Sequence, residues 1–141
     1  MKDELKLANQ VCFPIYVLAK EMVNHYRPLL EKLDLTYPQY LVMLVLWEER
    51  KQTVGELGEK LQLDNGTLTP LLKRLEQKGY VSRIRSDKDE RIVNITCTDL
   101  GISIQEKACG IREQLLSSME IATADILALK EIVNRILNKK S

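Results

Sequence analysis

The chain has 141 residues, enough for one domain with a substantial core, and its 45% apolar, 29% charged composition with a net charge of +1 excludes a disordered or collagen-like chain. Its longest apolar run, residues 40–47, is far too short to cross a bilayer, and its acidic N-terminal residues do not resemble a signal peptide, so a cytoplasmic location and no membrane partner are expected. Three cysteines far apart (Cys12, Cys97, Cys109), one histidine (His25) and the lack of a Gly-rich phosphate loop point to no metal site, no disulfide framework and no cofactor.

In chain order, a helix is expected over about 4–26, with Val11, Ile15, Leu18, Met22 and Val23 at helical spacing. Pro14 should kink it near residues 10–14 or start a new segment there. Pro28 is expected to open a short helix to about Leu33. Thr36 can cap a third helix over 37–49, with Tyr37 and Pro38 in its first turn, and the apolar residues on most of its sides make that helix central.

Thr53-Val54-Gly55-Glu56 reads as a capping box, in which hydroxyl and carboxylate satisfy each other's orphan N–H groups. Leu57 and Leu61 then share a face. Residues 62–66 supply a turn, and Leu68, Leu71, Leu72 and Leu75 follow at the spacing of a half-buried helix that stops at Gly79. Left outside are Asn65, Thr67, Thr69, Pro70, Lys73 and Arg74, short hydrogen-bonding groups followed by cations. Small residues let a helix enter the major groove closely, and its positive end meets phosphate. Pro70 costs little if regular bonding begins near Thr67. An ordinary helical hairpin with a solvated face would show the same pattern.

The next segment separates the two readings. Residues 80–85 and 91–97 are β-branched runs joined by a polar tip, which is a hairpin. Residues 73–91 hold seven cations and four anions, a local +3, which suits phosphate contacts by Arg83, Arg85 and Arg91. Asp89, two positions before Arg91, can hold that guanidinium in one pose. Helix, turn, helix and charged hairpin make a winged helix-turn-helix over about 37–98, with double-stranded DNA as the expected ligand. Thr98 is expected to cap a long helix to about Ser118, striped by Leu100, Ile104, Ala108, Ile111 and Leu115, and Thr123 a last helix over 124–138, striped by Ile126, Leu129, Val133 and Ile136.

The expected fold class is therefore mainly α with a small β wing, one domain over 1–141. Dimerisation helices fall at about 4–33 and 99–139, because their apolar stripes lack a partner surface. A homodimer supplies it and sets two recognition helices against a pseudo-palindrome.

The element order resembles the MarR family of bacterial transcription regulators across the whole chain. Within it, residues 12–16 (Cys-Phe-Pro-Ile-Tyr), 35–40 (Leu-Thr-Tyr-Pro-Gln-Tyr), 66–76 and Asp89-Glu90-Arg91 resemble the organic hydroperoxide resistance regulators (OhrR). The resemblance implies a dimeric repressor released from its operator when Cys12 is oxidised by organic hydroperoxide. It implies that Tyr26 and Tyr37 of the other subunit bond the Cys12 sulfur, with Tyr16 on the Cys12 side of its helix, and that Arg91, braced by Asp89, reaches the minor groove. Phenolic O–H groups can stabilise a thiolate without carrying a charge, and attack on a peroxide gives a sulfenic acid that condenses with a thiol or oxidises further. Cys97 and Cys109 read as core residues, although either, or a low-molecular-weight thiol, could resolve the sulfenic acid. The alternative within the family is a response to a small aromatic ligand, with Cys12 incidental. An enzyme, a thiol peroxidase using Cys12, is not expected, because no Arg or His lies near Cys12 in sequence.

Overall fold

The computed structural model describes residues 2–138 and divides into two compact units: Leu30–Cys109, and the segments on either side of it. Within the first unit, helix α2 (Tyr37–Glu49) begins where expected because Thr36 and Gln39 close a capping box, with backbone-to-side-chain bonds of 3.0 and 3.4 Å. Its apolar surround buries Tyr40, Val42, Met43, Leu46 and Trp47. Strand β1 (Lys51–Thr53) follows, then α3 (Val54–Leu61), opened by the Thr53–Glu56 box with bonds of 2.9 and 3.1 Å. These bonds from Thr53 hold the Glu56 carboxyl below the usual range.

Helix α4 (Asn65–Gln77) buries Leu68, Leu71, Leu72 and Leu75, as their spacing requires. It starts two residues before Thr67, because the Asp64 carboxylate accepts the Thr67 N–H at 2.7 Å and is the true cap. Two expectations change. Asn65 and Gly66 belong to the helix rather than to the turn, and Pro70 lies past the first turn, so the Gly66 carbonyl lacks its usual i+4 donor.

Strands β2 (Val81–Arg85) and β3 (Val93–Cys97) form the hairpin, and β1 joins them in an antiparallel sheet of order β1-β3-β2. β1 was not legible in sequence, since three residues carry no alternation; its Gln52 lies opposite Ile95, which lies opposite Arg83. Arg91 and Ile92 precede β3 rather than belonging to it. Two buried polar bonds cross the unit. Tyr80 donates its hydroxyl to the Leu33 carbonyl at 2.9 Å, and Trp47 its indole N–H to that of Gly101 at 2.9 Å. Gly101 must be glycine, because a Cβ there would run into the Tyr80 carbonyl.

Thr98 caps α5 (Asp99–Ser103), accepting the Gly101 N–H at 3.1 Å. The long helix expected to Ser118 is instead divided into α5, α6 (Gln105–Ala108) and, in the other unit, α7 (Ile111–Ser118). Cys109 is extended and Gly110 has φ +87°, a conformation that breaks the i→i−4 bonding. Leu100 is 52% exposed and leaves the stripe, while Ile104, Ile111 and Leu115 are buried.

In the second unit, short 3-10 turns at Asp3–Leu5 and Leu7–Asn9 precede α1 (Cys12–Glu31). The helix thus starts at Cys12 rather than near residue 4. Pro14 occupies its first turn, where an N–H would have no intrahelical partner, so it starts the segment. Pro28 does not open a second helix. It lies inside α1, whose last residues pass into the winged unit. After α7, α8 (Thr123–Asn138) begins with Thr123 as its first helical residue rather than its cap. Its stripe of Leu129, Val133 and Ile136 is exposed, Ile126 is half-buried, and α8 has no buried residue. The expected boundary at 139 lies outside the described residues.

Candidate nucleic-acid interface and cysteine site

The winged unit brings four of the ten expected DNA-facing residues, Asn65 and Thr69 of α4, Arg83 of β2 and Arg91, around one trough of about 400 Å³, lined also by Thr53, Val54 and Gly55 at the start of α3 and by Ile92 and Val93. Sequence reasoning used Thr53 only as a cap and missed Val54 and Gly55. Their helix start, next to a basic hairpin, was the available signal. On α4, Asn65, Thr67, Pro70, Lys73 and Arg74 are exposed and Thr69 is half-buried.

The wing's cations are held differently from one another. Arg91 presents two guanidinium bonds to Asp89, Nε to Oδ1 at 3.1 Å and a second nitrogen to Oδ2 at 3.3 Å, and its backbone N–H donates to Oδ1 at 3.0 Å. That fork leaves the Arg91 side chain 92% exposed. The Arg91 guanidinium, then its backbone N–H, holds the Asp89 carboxyl below the usual range. Arg85 donates to the Glu90 carbonyl at 2.8 Å, which closes the wing tip. Arg83 stands 3.9 Å from Glu76, and its buried Nε has no hydrogen-bond partner among the described residues.

In the other unit, Cys12 is the first residue of α1 and is exposed. Cys12, Tyr16 and Tyr26 fall on one face of this continuous helix, at relative angles of about 0°, 40° and −40° for 100° per residue. Tyr16 is 62% exposed, with the Lys20 ammonium 4.9 Å from its ring centroid. Tyr26 is half-buried. Along the axis Cys12 and Tyr26 stand roughly 21 Å apart, at 1.5 Å per residue, so they cannot meet within one chain. Tyr37, at the start of α2, is half-buried beside Tyr40, with ring centroids 6.5 Å apart, and burial pushes its phenol up, keeping it an O–H donor.

The remaining titratable candidates resolve separately. Cys97 is buried, and that burial, opposed by Arg50, pushes its thiol up. Cys109 is exposed and belongs to no helix. His25 is half-buried, with Nδ1 3.1 Å from the Ser118 hydroxyl. It borders a hollow of about 530 Å³ with Phe13, Pro14, Val17, Leu18 and Met119.

The geometry finds its counterparts among known proteins. Residues 24–108 match the family model described as transcriptional regulator SarA/Rot. The chain is 47% identical over 135 residues to the organic hydroperoxide resistance transcriptional regulator of Bacillus subtilis (strain 168), covering 96% of this chain and 92% of that protein. The chain belongs to the MarR family of transcriptional regulators, in its organic hydroperoxide resistance branch.

Two solved states of one relative, AbfR of Staphylococcus epidermidis, extend the comparison. Reduced AbfR bound to DNA is 38% identical, covers 97% of this chain and 96% of its own, and has a TM-score of 0.78. Disulfide-formed AbfR, also 38% identical, covers 96% and 95%, with a TM-score of 0.67. As a MarR-family regulator this chain carries its winged helix-turn-helix within Leu30–Cys109. No helix among the described residues is long and apolar enough to cross a membrane.

Proposed function

We propose that this regulator is a cytoplasmic homodimeric repressor, bound to a pseudo-palindromic duplex when Cys12 is reduced and released when organic hydroperoxide oxidises it. The observation that carries the reading is the unbroken α1. It sets Cys12 and Tyr26 on one face about 21 Å apart, so a bond from that phenol to that sulfur needs a second copy of the helix running the other way. The exposed apolar residues of the same unit, among them Val11, Ile15, Val133 and Ile136, supply a surface for that copy.

Cys12, exposed at the start of α1, is open to a peroxide. Its thiolate attacks the outer peroxide oxygen, the O–O bond breaks, and the alkoxide leaves with a proton as the alcohol, while sulfur becomes a sulfenic acid. A low-molecular-weight thiol then displaces water and forms a mixed disulfide. Neither product reproduces the hydrogen bonds that the phenols of Tyr26 and Tyr37, with Tyr16 beside them, give a thiolate. Loss of those bonds changes the dimer and withdraws the DNA face. On that face, Thr67, Thr69 and Asn65 stand where base edges pass. Lys73, Arg74, Arg83 and Arg85 meet phosphate, Pro70 lies along the groove wall, and Arg91, forked on Asp89, enters the minor groove.

The test is operator binding before and after stoichiometric cumene hydroperoxide, with intact mass measured alongside. The unmodified protein should lose binding as Cys12 gains oxygen or a thiol adduct, and Cys12→Ser should keep binding throughout. A Cys12→Ser protein that still lets go on treatment would contradict the redox reading.

A further inference from the structure

The apolar spacing of residues 99–118 and their backbone disagree. Ile104, Ala108, Ile111 and Leu115 recur as they would along one uninterrupted helix, yet the backbone bends between Cys109 and Gly110. Packing does not demand a glycine at the bend. A Cβ on Gly110 would meet only the Gln114 amide, at 3.9 Å, an ordinary contact. Glycine's role there is conformational: φ of +87° is a region that side-chain-bearing residues rarely adopt. The bend also falls where the chain passes between its two compact units. The other passage, Leu29 to Leu30, lies one residue past Pro28, where α1 lacks the bond from residue 28 to the Asn24 carbonyl. Both covalent connections of the winged unit thus run through a weakened helix.

We propose that residues 105–118, α6 and α7, are a two-state element, bent at Gly110 in one state and continuous in the other, and that its state sets the placement of the winged unit and hence the operator affinity. Straightening adds helical bonds across Cys109 and Gly110, and the spacing of Ile104, Ala108, Ile111 and Leu115 suits a continuous helix. Pro28 supplies the compliance that the second connection needs. This deepens the proposed redox response by naming the element that carries it, but the two stand apart. Cys12 governs what triggers the change, and Gly110 governs the equilibrium itself.

The experiment measures operator affinity in a Cys12→Ser background, where no redox trigger acts. Gly110→Ala disfavours the left-handed bend and favours the helix, whereas Gly110→Asn tolerates the bend. Alanine should change affinity by about tenfold or more and asparagine by less than about threefold, both with unchanged winged-unit folding reported by Trp47 fluorescence. Equal effects of the two would overturn the proposal. Hydrogen exchange on the unsubstituted protein provides a second measurement that depends on no variant. Protection of the amides of residues 109–113 should differ between free and operator-bound protein, and identical protection would overturn it as well. Loss of peroxide response on Cys12→Ser with these results intact would leave both readings standing; a retained response would remove only the redox one.

Discussion

The winged unit and the terminal helices use similar amounts of apolar residue to opposite ends. In Leu30–Cys109, Leu30, Val42, Met43, Leu46, Leu57, Leu68, Leu75 and Ile95 are wholly buried, and the starts of α2, α3 and α4 are closed by side-chain bonds. In the flanking segments α8 buries nothing, and α1 exposes Ile15, Tyr16 and Val23. One region completes itself within the chain. The other leaves apolar faces of α1 and α8 uncovered within the described residues.

Leu46→Ala and Val133→Asp should split this comparison most sharply. Leu46 is fully buried, and its truncation should lower unfolding free energy by about 2 to 5 kcal/mol. Val133→Asp should leave the winged unit's thermal transition intact and shift sedimentation towards monomer. Should both variants lose the same transition, the regions would not be independent in the way described.

A smaller effect is expected inside the winged unit. Tyr80→Phe removes the hydrogen bond to the Leu33 carbonyl and should cost about 1 kcal/mol in denaturant unfolding. Burial, then Asp34, also pushes the Tyr80 phenol up. Its neutral form is therefore favoured by folding: that stability is complete below the usual tyrosine range near pH 10 and is lost as pH rises through the higher folded value, which absorbance at 295 nm would follow.

The smallest effect concerns the wing tip. Because Arg91 lowers the Asp89 carboxyl, their fork persists above the ordinary aspartate range near pH 4 and is lost only as pH falls through the lower folded value. A carboxyl NMR titration of Asp89 should move up in Arg91→Ala. The same variant should reduce the salt slope of DNA binding by about one unit.

How much was legible follows from how local each signal is. The boxes at Thr36 and Thr53 and the leucines of α4 declared themselves, because capping and helical spacing act over three to seven residues. The bend at Gly110 was hidden by a stripe that fits both a bent and a straight helix, and Pro28 was misread because a proline signals a first turn as readily as a tolerated interruption. β1 was invisible, being made a strand only by its partner β3. The proposed pairing of Cys12 with Tyr26 would join two chains, so it entered the sequence reading only through family resemblance.

That pairing is also the point to test directly. In a chain carrying Tyr26→Cys, Cys97→Ser and Cys109→Ser, mild oxidation should give a disulfide-linked dimer whose peptide map joins position 12 of one copy to position 26 of the other. Efficient dimerisation by sedimentation with no such link in the map would contradict the account, because the sulfur and the phenol position would then never meet.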